Sequence, residues 1–307
     1  MKLKKLLPII GIVLFIYIII KVDPKKLFQT LLELKLSLLF LSLLLFIPIS
    51  LIQTYKWKHI TKLQNLTTNF LFLLKSNILA NFYGLITPAR MGNFIKIEYL
   101  KEQTKASTEK CSSNVVIDRF LDILSVFTLA AIGSLVFFNT DLILILVISL
   151  VLLMLLFIFL MKPKLNKPIF KFIYHKILPE KLKEKANHSF HAVYDHIPKI
   201  RTLIYPFFLS ILTWLLIVSQ VYLVALAFSI SIPYFSFIFL FPISTIVTLL
   251  PISIAGFGTR EASLLYLFQS FNILPERIVS MSIFSPIITI STYLILVGIF
   301  SLIKIKK

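Results

Sequence analysis

Three of the five arginines in this lysine-rich chain stand where its apolar runs are interrupted. The chain has 27 lysines, yet Arg90, Arg119 and Arg260 occupy these polar positions. Lysine carries a flexible point charge, whereas the planar guanidinium of arginine binds phosphate or carboxylate through two parallel hydrogen bonds. The pattern predicts that Arg90 and Arg260 hold an anionic group. The alternative is an internal salt bridge, for example from Arg260 to Glu261 or Glu98.

A second charged cluster precedes the apolar run at 115–138. Asp118 and Asp122 are four residues apart and share one helix face, and Arg119 can bridge to Asp122 across three residues. Carboxylates in a first helical turn also favour the positive end of the helix dipole. Helix capping with a local ion pair is therefore the simpler interpretation. The alternative makes Asp122 a proton or substrate site that faces a cavity.

The composition places these charges in a membrane protein. The chain has 307 residues, of which 58% are hydrophobic and only 15% are charged, with a mean hydropathy of +0.93. Soluble domains have about 25% charged residues. The net charge of +19 comes from basic residues between apolar runs, which is typical of loops on the cytoplasmic side of a membrane. We expect anionic lipid as the partner and no nucleic acid.

The apolar runs predict an all-α, polytopic fold in one integral membrane domain, residues 1–307. About seven or eight helices would span the bilayer, since a crossing needs about 20 apolar residues. The runs long enough, or nearly so, lie at 6–20, 37–53, 115–138, 142–161, 203–229, 234–252 and 279–302. The first is preceded by lysines and lacks a small-residue cleavage site, so we interpret it as an uncleaved membrane helix.

Two further apolar stretches, 68–88 and 254–272, contain polar residues and predict broken or re-entrant segments. Loop charges favour a hairpin at 68–88 and a full crossing at 254–272. The polar breaks 87–93 and 251–261 each contain a proline, an arginine and at least one glycine. Helix breakers at membrane depth persist where they are buried in protein or line a cavity. Kinking or tight packing at Gly92, Gly256 and Gly258 is the alternative.

The two breaks suggest an internal repeat with halves at about 1–161 and 203–307. A basic link, 162–202, would join them on the cytoplasmic side, and its segment 169–177 has the alternating apolar and basic residues of an interfacial helix.

The sequence predicts no enzyme. It contains no P-loop, dinucleotide motif, nucleophile elbow or adjacent acidic pair, so we expect no catalytic residues and no cofactor. His188, His191 and Asp195 have helical spacing, but no second cluster supports a metal site, and we expect none. The single Cys111 excludes an internal disulfide between cysteines of this chain.

Three blocks of sequence resemble the lysylphosphatidylglycerol synthase transmembrane-region family, also called flippase-like. The blocks are Pro88-Ala89-Arg90-Met91-Gly92-Asn93, Asp118-Arg119-Phe120-Leu121-Asp122, and Pro251 through Gly256-Phe257-Gly258-Thr259-Arg260-Glu261. Known members include the membrane modules of multiple peptide resistance factors, thought to move aminoacylated phosphatidylglycerol between leaflets. The family usually has an acidic residue at the position of Asn93 and glutamate at that of Asp118. Unlike the resistance factors, this chain shows no aminoacyl-transfer domain, so we expect no lysine transfer.

We therefore expect a lipid transporter of the inner (cytoplasmic) membrane that moves a phospholipid or glycolipid headgroup, anionic or zwitterionic, between leaflets. The alternatives are an integral-membrane enzyme acting on a lipid-linked substrate and an accessory subunit of a lipid-modifying complex. A homo-oligomer or a lipid-modifying enzyme would be the protein partner. The expected substrate-binding residues are Arg90, Gly92, Glu98, Arg119, Asp122, Gly256, Gly258, Arg260 and Glu261.

The charge pattern makes one prediction about topology. Residues 90–119 and 162–202 together hold sixteen basic residues and should both face the cytoplasm. Single cysteines at Lys101 and Lys183, in a Cys111→Ser background, should resist membrane-impermeant thiol reagents in intact cells. Labelling of either cysteine from outside would contradict this topology.

Overall fold

The computed structural model describes residues 3–137, 197–249 and 256–302, with residues 147–148, 150–151, 155 and 253 besides. The regular structure of these residues is helical throughout, and they contain no strand. The α-helices are α1 (Leu3–Val22), α2 (Pro24–Leu32), α3 (Leu36–Leu44), α4 (Phe46–Leu63), α5 (Phe70–Ile86), α6 (Lys96–Thr104), α7 (Thr108–Phe137), α8 (Ile204–Ala227), α9 (Tyr234–Leu249), α10 (Thr259–Phe268) and α11 (Pro275–Leu302). Short 3₁₀ helices cover Pro88–Ile95, Ile200–Leu203 and Gln269–Phe271.

Among the described residues, three helical segments are long and apolar enough to cross a bilayer: Leu36–Leu63, Ile200–Ala227 and Pro275–Phe300. Large apolar side chains point outward from the helices, and Leu36 and Phe235 expose 73% and 71% of their surface. An apolar exterior of this kind is stable against lipid. The fold is thus an all-α membrane protein, as predicted. The number of seven or eight crossings stays a prediction.

Two helices have bounds that differ from those of the apolar runs. The run at 37–53 continues through α4 to Leu63, so Lys56 lies in a helix rather than in a basic loop. Helix α7 begins at Thr108, ten residues before Asp118. The interpretation of Asp118 and Asp122 as first-turn capping residues is therefore wrong, because the helix dipole acts within the first turn.

The first polar break folds back against the helix that precedes it. The 3₁₀ helix Pro88–Ile95 packs along α5, and the Thr87 hydroxyl accepts a hydrogen bond of 2.7 Å from the Gly92 amide. A Cβ atom at Gly92 would overlap the backbone of Tyr83, so only glycine permits this approach. Within the predicted hairpin 68–88, residues Phe70–Ile86 form one continuous helix, so the chain turns back only at Pro88–Ile95, beyond most of that segment. Its depth in the bilayer stays a prediction.

The second break joins α9 to α10 and packs against α1. Gly256 and Gly258 have positive φ angles of 83° and 85°. A Cβ atom at Gly258 would overlap the carbonyl oxygen of Gly11 in α1. Helix α10 has 10 residues, about 15 Å at 1.5 Å per residue. The predicted full crossing at 254–272 is therefore wrong for a single helix, because the hydrocarbon core is about 30 Å thick.

Several predictions concern residues outside the described ranges. These are Pro251, most of the run at 142–161, the interfacial segment 169–177, the group His188, His191 and Asp195, and most of the link 162–202. The half-repeats also stay a prediction.

Replacement of Gly258 by alanine should destabilise the protein by about 2 kcal/mol or more. The side chain would need a strained positive φ and would displace α1. Gly298→Ala is the matched control, since a Cβ at Gly298 meets no atom within 4 Å. That variant should be neutral or gain up to about 1 kcal/mol in helix propensity. Thermal unfolding in detergent measures both, and equal melting temperatures would contradict the packing role of Gly258.

Candidate functional site: a charged internal cavity

A cavity of about 330 Å³ lies where both polar breaks meet the helices. Residues from α4, α5, the 3₁₀ helix Pro88–Ile95, α7, α8, α9, α10 and α11 line its wall. Apolar and polar side chains alternate around it. Its charged lining residues are Arg90, Arg119, Asp122 and Arg260. The cavity wall is therefore largely apolar, with a small number of charged and polar side chains.

Behind one wall, Asp118 of α7 holds together three helices. Its two carboxylate oxygens lie 2.9 Å from Lys56 Nζ of α4 and 2.9 Å from Lys96 Nζ of α6. All three side chains are 1% exposed. A buried charge without a partner is strongly destabilising, so each lysine needs this carboxylate. We call Lys56, Lys96 and Asp118 the buried triad.

An aromatic residue completes the surroundings of Lys96. The Lys96 ammonium lies 4.5 Å from the centroid of the Trp57 ring, within the range of a cation–π interaction. The indole Nε1 of Trp57 donates a 2.7 Å hydrogen bond to Asn114 of α7. This contact fixes the ring face that Lys96 meets.

The charges continue from the triad to the cavity through Asp122. Lys56 Nζ donates a 2.5 Å hydrogen bond to Asp122 Oδ1, and the Ser210 hydroxyl donates one of 3.1 Å to the same oxygen. Arg119 Nη1 lies 3.8 Å from Asp122 Oδ2, which confirms the predicted ion pair across three residues. Arg119 Nη2 also donates to Asp118 Oδ2 at 3.4 Å. Asp122 thus faces the cavity with both oxygens already close to cations.

On the opposite break, Arg260 is held by α11. Its Nε donates a 3.0 Å hydrogen bond to the Ser282 hydroxyl, and that hydroxyl donates 2.6 Å to Glu261 Oε1. Arg260 Nε lies 3.7 Å from the same carboxylate oxygen. The Nη2 atom is buried and has no hydrogen-bond partner among the described residues. Arg260 therefore forms the predicted ion pair with Glu261. Because this pair leaves part of the guanidinium available, the interpretation as an anion-binding residue stays a prediction.

Arg90 differs from the other cavity arginines in its lack of a partner. Its side chain is exposed to the cavity and makes no hydrogen bond or ion pair with any residue that the structure describes. Its backbone has a positive φ of 55°, which costs a non-glycine residue about 1–2 kcal/mol. Such strain persists where the surrounding structure fixes it, and it is common at functional sites.

Positive charge exceeds negative charge around the cavity. The described cations of the wall and the triad number five, against three carboxylates. The cations are Lys56, Lys96, Arg90, Arg119 and Arg260, and the carboxylates are Asp118, Asp122 and Glu261. Two unit charges 4 Å apart interact by about 4 kcal/mol at the effective dielectric constant of a protein. The excess of two positive charges therefore favours an anion over a cation in the cavity.

The structure brings together four of the nine predicted site residues. Arg90 and Arg260 line one cavity, and Arg119 and Asp122 join them. The other five lie outside the cavity wall: Gly92, Glu98, Gly256, Gly258 and Glu261. The glycines permit close packing or positive φ, and Glu98 is exposed on α6. Glu261 accepts a 2.6 Å hydrogen bond from the Gly258 amide at the start of α10. Substrate binding by any of the nine stays a prediction.

Lys56 and Lys96 were not predicted as site residues, because both were counted as loop charges. For Lys56 a signal was available. Ile49, Gln53, Lys56 and Ile60 are separated by four, three and four residues, the spacing of one helix face. Two isoleucines on that face indicate burial, and a lysine between them needs a buried acid. Lys96 offers no comparable signal, because its short helix follows an irregular segment.

Fold and cavity define a multi-pass membrane protein with an internal anion-compatible site. The model of one protein family, described as Lysylphosphatidylglycerol synthase TM region, matches residues 6–297. The chain belongs to this family. A search of the curated proteins finds no match to it. The matched residues include part or all of every described helix. The match confirms the family resemblance of the three sequence blocks.

Asp118→Asn should destabilise the protein by about 3–5 kcal/mol, because it leaves Lys56 and Lys96 buried without their shared carboxylate. Glu33→Gln is the control. It removes an ion pair to Arg277 at 3.6 Å in which Glu33 is 66% exposed, worth at most about 1 kcal/mol. Thermal unfolding in detergent compares the two, and an unchanged melting temperature for Asp118→Asn would refute the role of the triad.

Proposed function

We propose that this protein moves a lipid across the cytoplasmic membrane by passing its headgroup through the charged cavity. The single observation that carries the proposal is the meeting of Arg90 and Arg260, from two separate breaks, on one cavity with excess positive charge. Broken segments that meet within a helical bundle are typical of transporter binding sites. Membership in a family of lipid-related membrane domains supports the same function.

The size of the cavity suits a headgroup. At about 30 Å³ for each water molecule, 330 Å³ corresponds to roughly ten waters. A phosphate with a small alcohol fits such a volume, whereas two acyl chains exceed it. In the proposed mechanism the chains remain in the surrounding hydrocarbon while the headgroup exchanges water for the arginines.

We further propose that the protein catalyses no covalent reaction. The cavity carboxylate, Asp122, accepts hydrogen bonds from Lys56 and Ser210 and lies beside Arg119. These partners engage both carboxylate oxygens, an arrangement that suits electrostatic positioning of charge. Lipid movement by the purified protein alone would separate this proposal from an accessory role.

Liposomes that contain only the purified protein test the proposal. Fluorescent phosphatidylglycerol in the inner leaflet should become accessible to an impermeant quencher at least about tenfold faster than in empty liposomes. Arg90→Gln together with Arg260→Gln should abolish that gain, because the cavity loses both arginines contributed by the breaks. A tenfold rate corresponds to about 1.4 kcal/mol, less than the loss of one charge-assisted hydrogen bond typically costs.

Arg201→Gln is the matched control, an exposed arginine outside the cavity wall. It should move lipid at the wild-type rate. Movement retained in the double variant with intact folding would contradict a headgroup role for the arginines. Absence of movement by the wild-type protein, combined with a stoichiometric partner on purification, would favour an accessory subunit.

A further inference from the structure

We propose that the cavity selects a phosphate monoester, a headgroup with two negative charges and no ammonium group. The inference rests on the proposed function and names the substrate class of the same site. At neutral pH a phosphate monoester carries a charge of about −1.5 to −2, whereas a phosphodiester carries a single negative charge. A zwitterionic or aminoacylated headgroup adds an ammonium to the diester.

Part of the positive charge around the cavity has no carboxylate beside it in the described residues. The triad and Asp122 balance most of the charge on the α7 side. Within the described residues, the Arg90 side chain makes no hydrogen bond or ion pair, and the buried Arg260 Nη2 has no hydrogen-bond partner. The two guanidinium groups supply planar donors that can bind separate oxygens of one terminal phosphate.

The described part of the wall offers an ammonium group no carboxylate without a cation beside it. Asp122 is the carboxylate that lines the cavity, and Lys56 and Arg119 already neutralise it. Glu261 is fully buried outside the wall, where it binds Gly258 and Ser282.

Two uncharged acceptors of the wall differ. Asn93 Oδ1 has no hydrogen-bond partner among the described residues and stands three residues from Arg90, whereas the Gln53 side chain is occupied. Gln53 Oε1 accepts a 2.9 Å hydrogen bond from Asn81 and one of 3.4 Å from Asn77. Phe46 and Tyr293 pack edge to face, with ring centroids 4.5 Å apart. Aromatic faces can bind ammonium groups, but here the nearby arginines repel a further cation. An ammonium would therefore enter the cavity without an anionic partner and beside excess positive charge.

Tryptophan fluorescence gives a direct binding readout. Of the two tryptophans, Trp214 lines the cavity and Trp57 is fully buried behind it. Protein in detergent is titrated with dioctanoyl phosphatidic acid, dioctanoyl phosphatidylglycerol and dioctanoyl phosphatidylethanolamine. We expect phosphatidic acid to bind at least about tenfold more tightly than phosphatidylethanolamine, with phosphatidylglycerol between them. Equal affinities, tighter binding of phosphatidylethanolamine, or no binding of phosphatidic acid would overturn the proposal.

Glycerol 3-phosphate separates a lipid from a soluble phosphate. It presents the same monoester without acyl chains and should bind more weakly than phosphatidic acid. Equal or tighter binding of glycerol 3-phosphate would overturn the assignment to a lipid.

Gln53→Glu tests the charge argument with little change of shape. The new carboxylate can still accept the hydrogen bonds from Asn77 and Asn81, so the wall should keep its structure. Affinity for phosphatidic acid should fall by about tenfold and that for phosphatidylethanolamine should rise. Arg201→Gln should leave both unchanged. An unchanged preference in a Gln53→Glu protein that melts like wild type would overturn the proposal.

The paired measurements keep the inference and the proposed function distinguishable. If the liposomes move phosphatidylethanolamine as fast as phosphatidic acid, the function stands and the selectivity is wrong. If phosphatidic acid binds selectively but no lipid moves, the selectivity stands and the transport function is wrong.

Discussion

The compensation of buried charge is the constraint on which the rest of this structure depends. Asp118 binds Lys56 and Lys96 at 2.9 Å each in an interior that excludes water. In such surroundings each charge must find a partner or cost several kcal/mol. One carboxylate thereby fixes the relative positions of α4, α6 and α7. The ion pairs specify an arrangement that apolar packing alone would leave variable.

Around the cavity, the charges are compensated unevenly. On the α7 side, each charge lies near an opposite one, and Asp122 links the triad to the cavity wall. On the side of the breaks, Arg90 and part of Arg260 lack such partners among the described residues. Cations without partners in a protein interior cost stability, and such sites are commonly functional.

Glycine contacts hold each polar break against a neighbouring helix without contributing to the cavity wall. Gly92 lets the 3₁₀ helix approach the backbone of Tyr83, and Gly258 lets α10 begin against Gly11 of α1. The sequence left two interpretations of the breaks, tight packing and the lining of a cavity. The structure shows that they apply to different residues. Close packing accounts for the glycines, while the arginines that accompany them reach the cavity.

The sequence by itself determined the fold class, the family and three of the charged residues that line the cavity. Apolar runs must form helices in a bilayer, because only internal hydrogen bonds satisfy the backbone there. Arginine among many lysines marked Arg90, Arg119 and Arg260, and all three line the cavity. These inferences depend on local composition, which a single sequence displays directly.

Only the tertiary structure decided which charges compensate one another. Lys56 and Asp118 are 62 positions apart, and Lys96 and Asp118 are 22 apart, so no local spacing pairs them. The start of α7 at Thr108 was equally hidden, because polar residues can extend a helix beyond its apolar run. Composition shows where a charge would be costly to bury. The position of its partner depends on how distant helices pack, and that packing decides which charges are compensated and which are not.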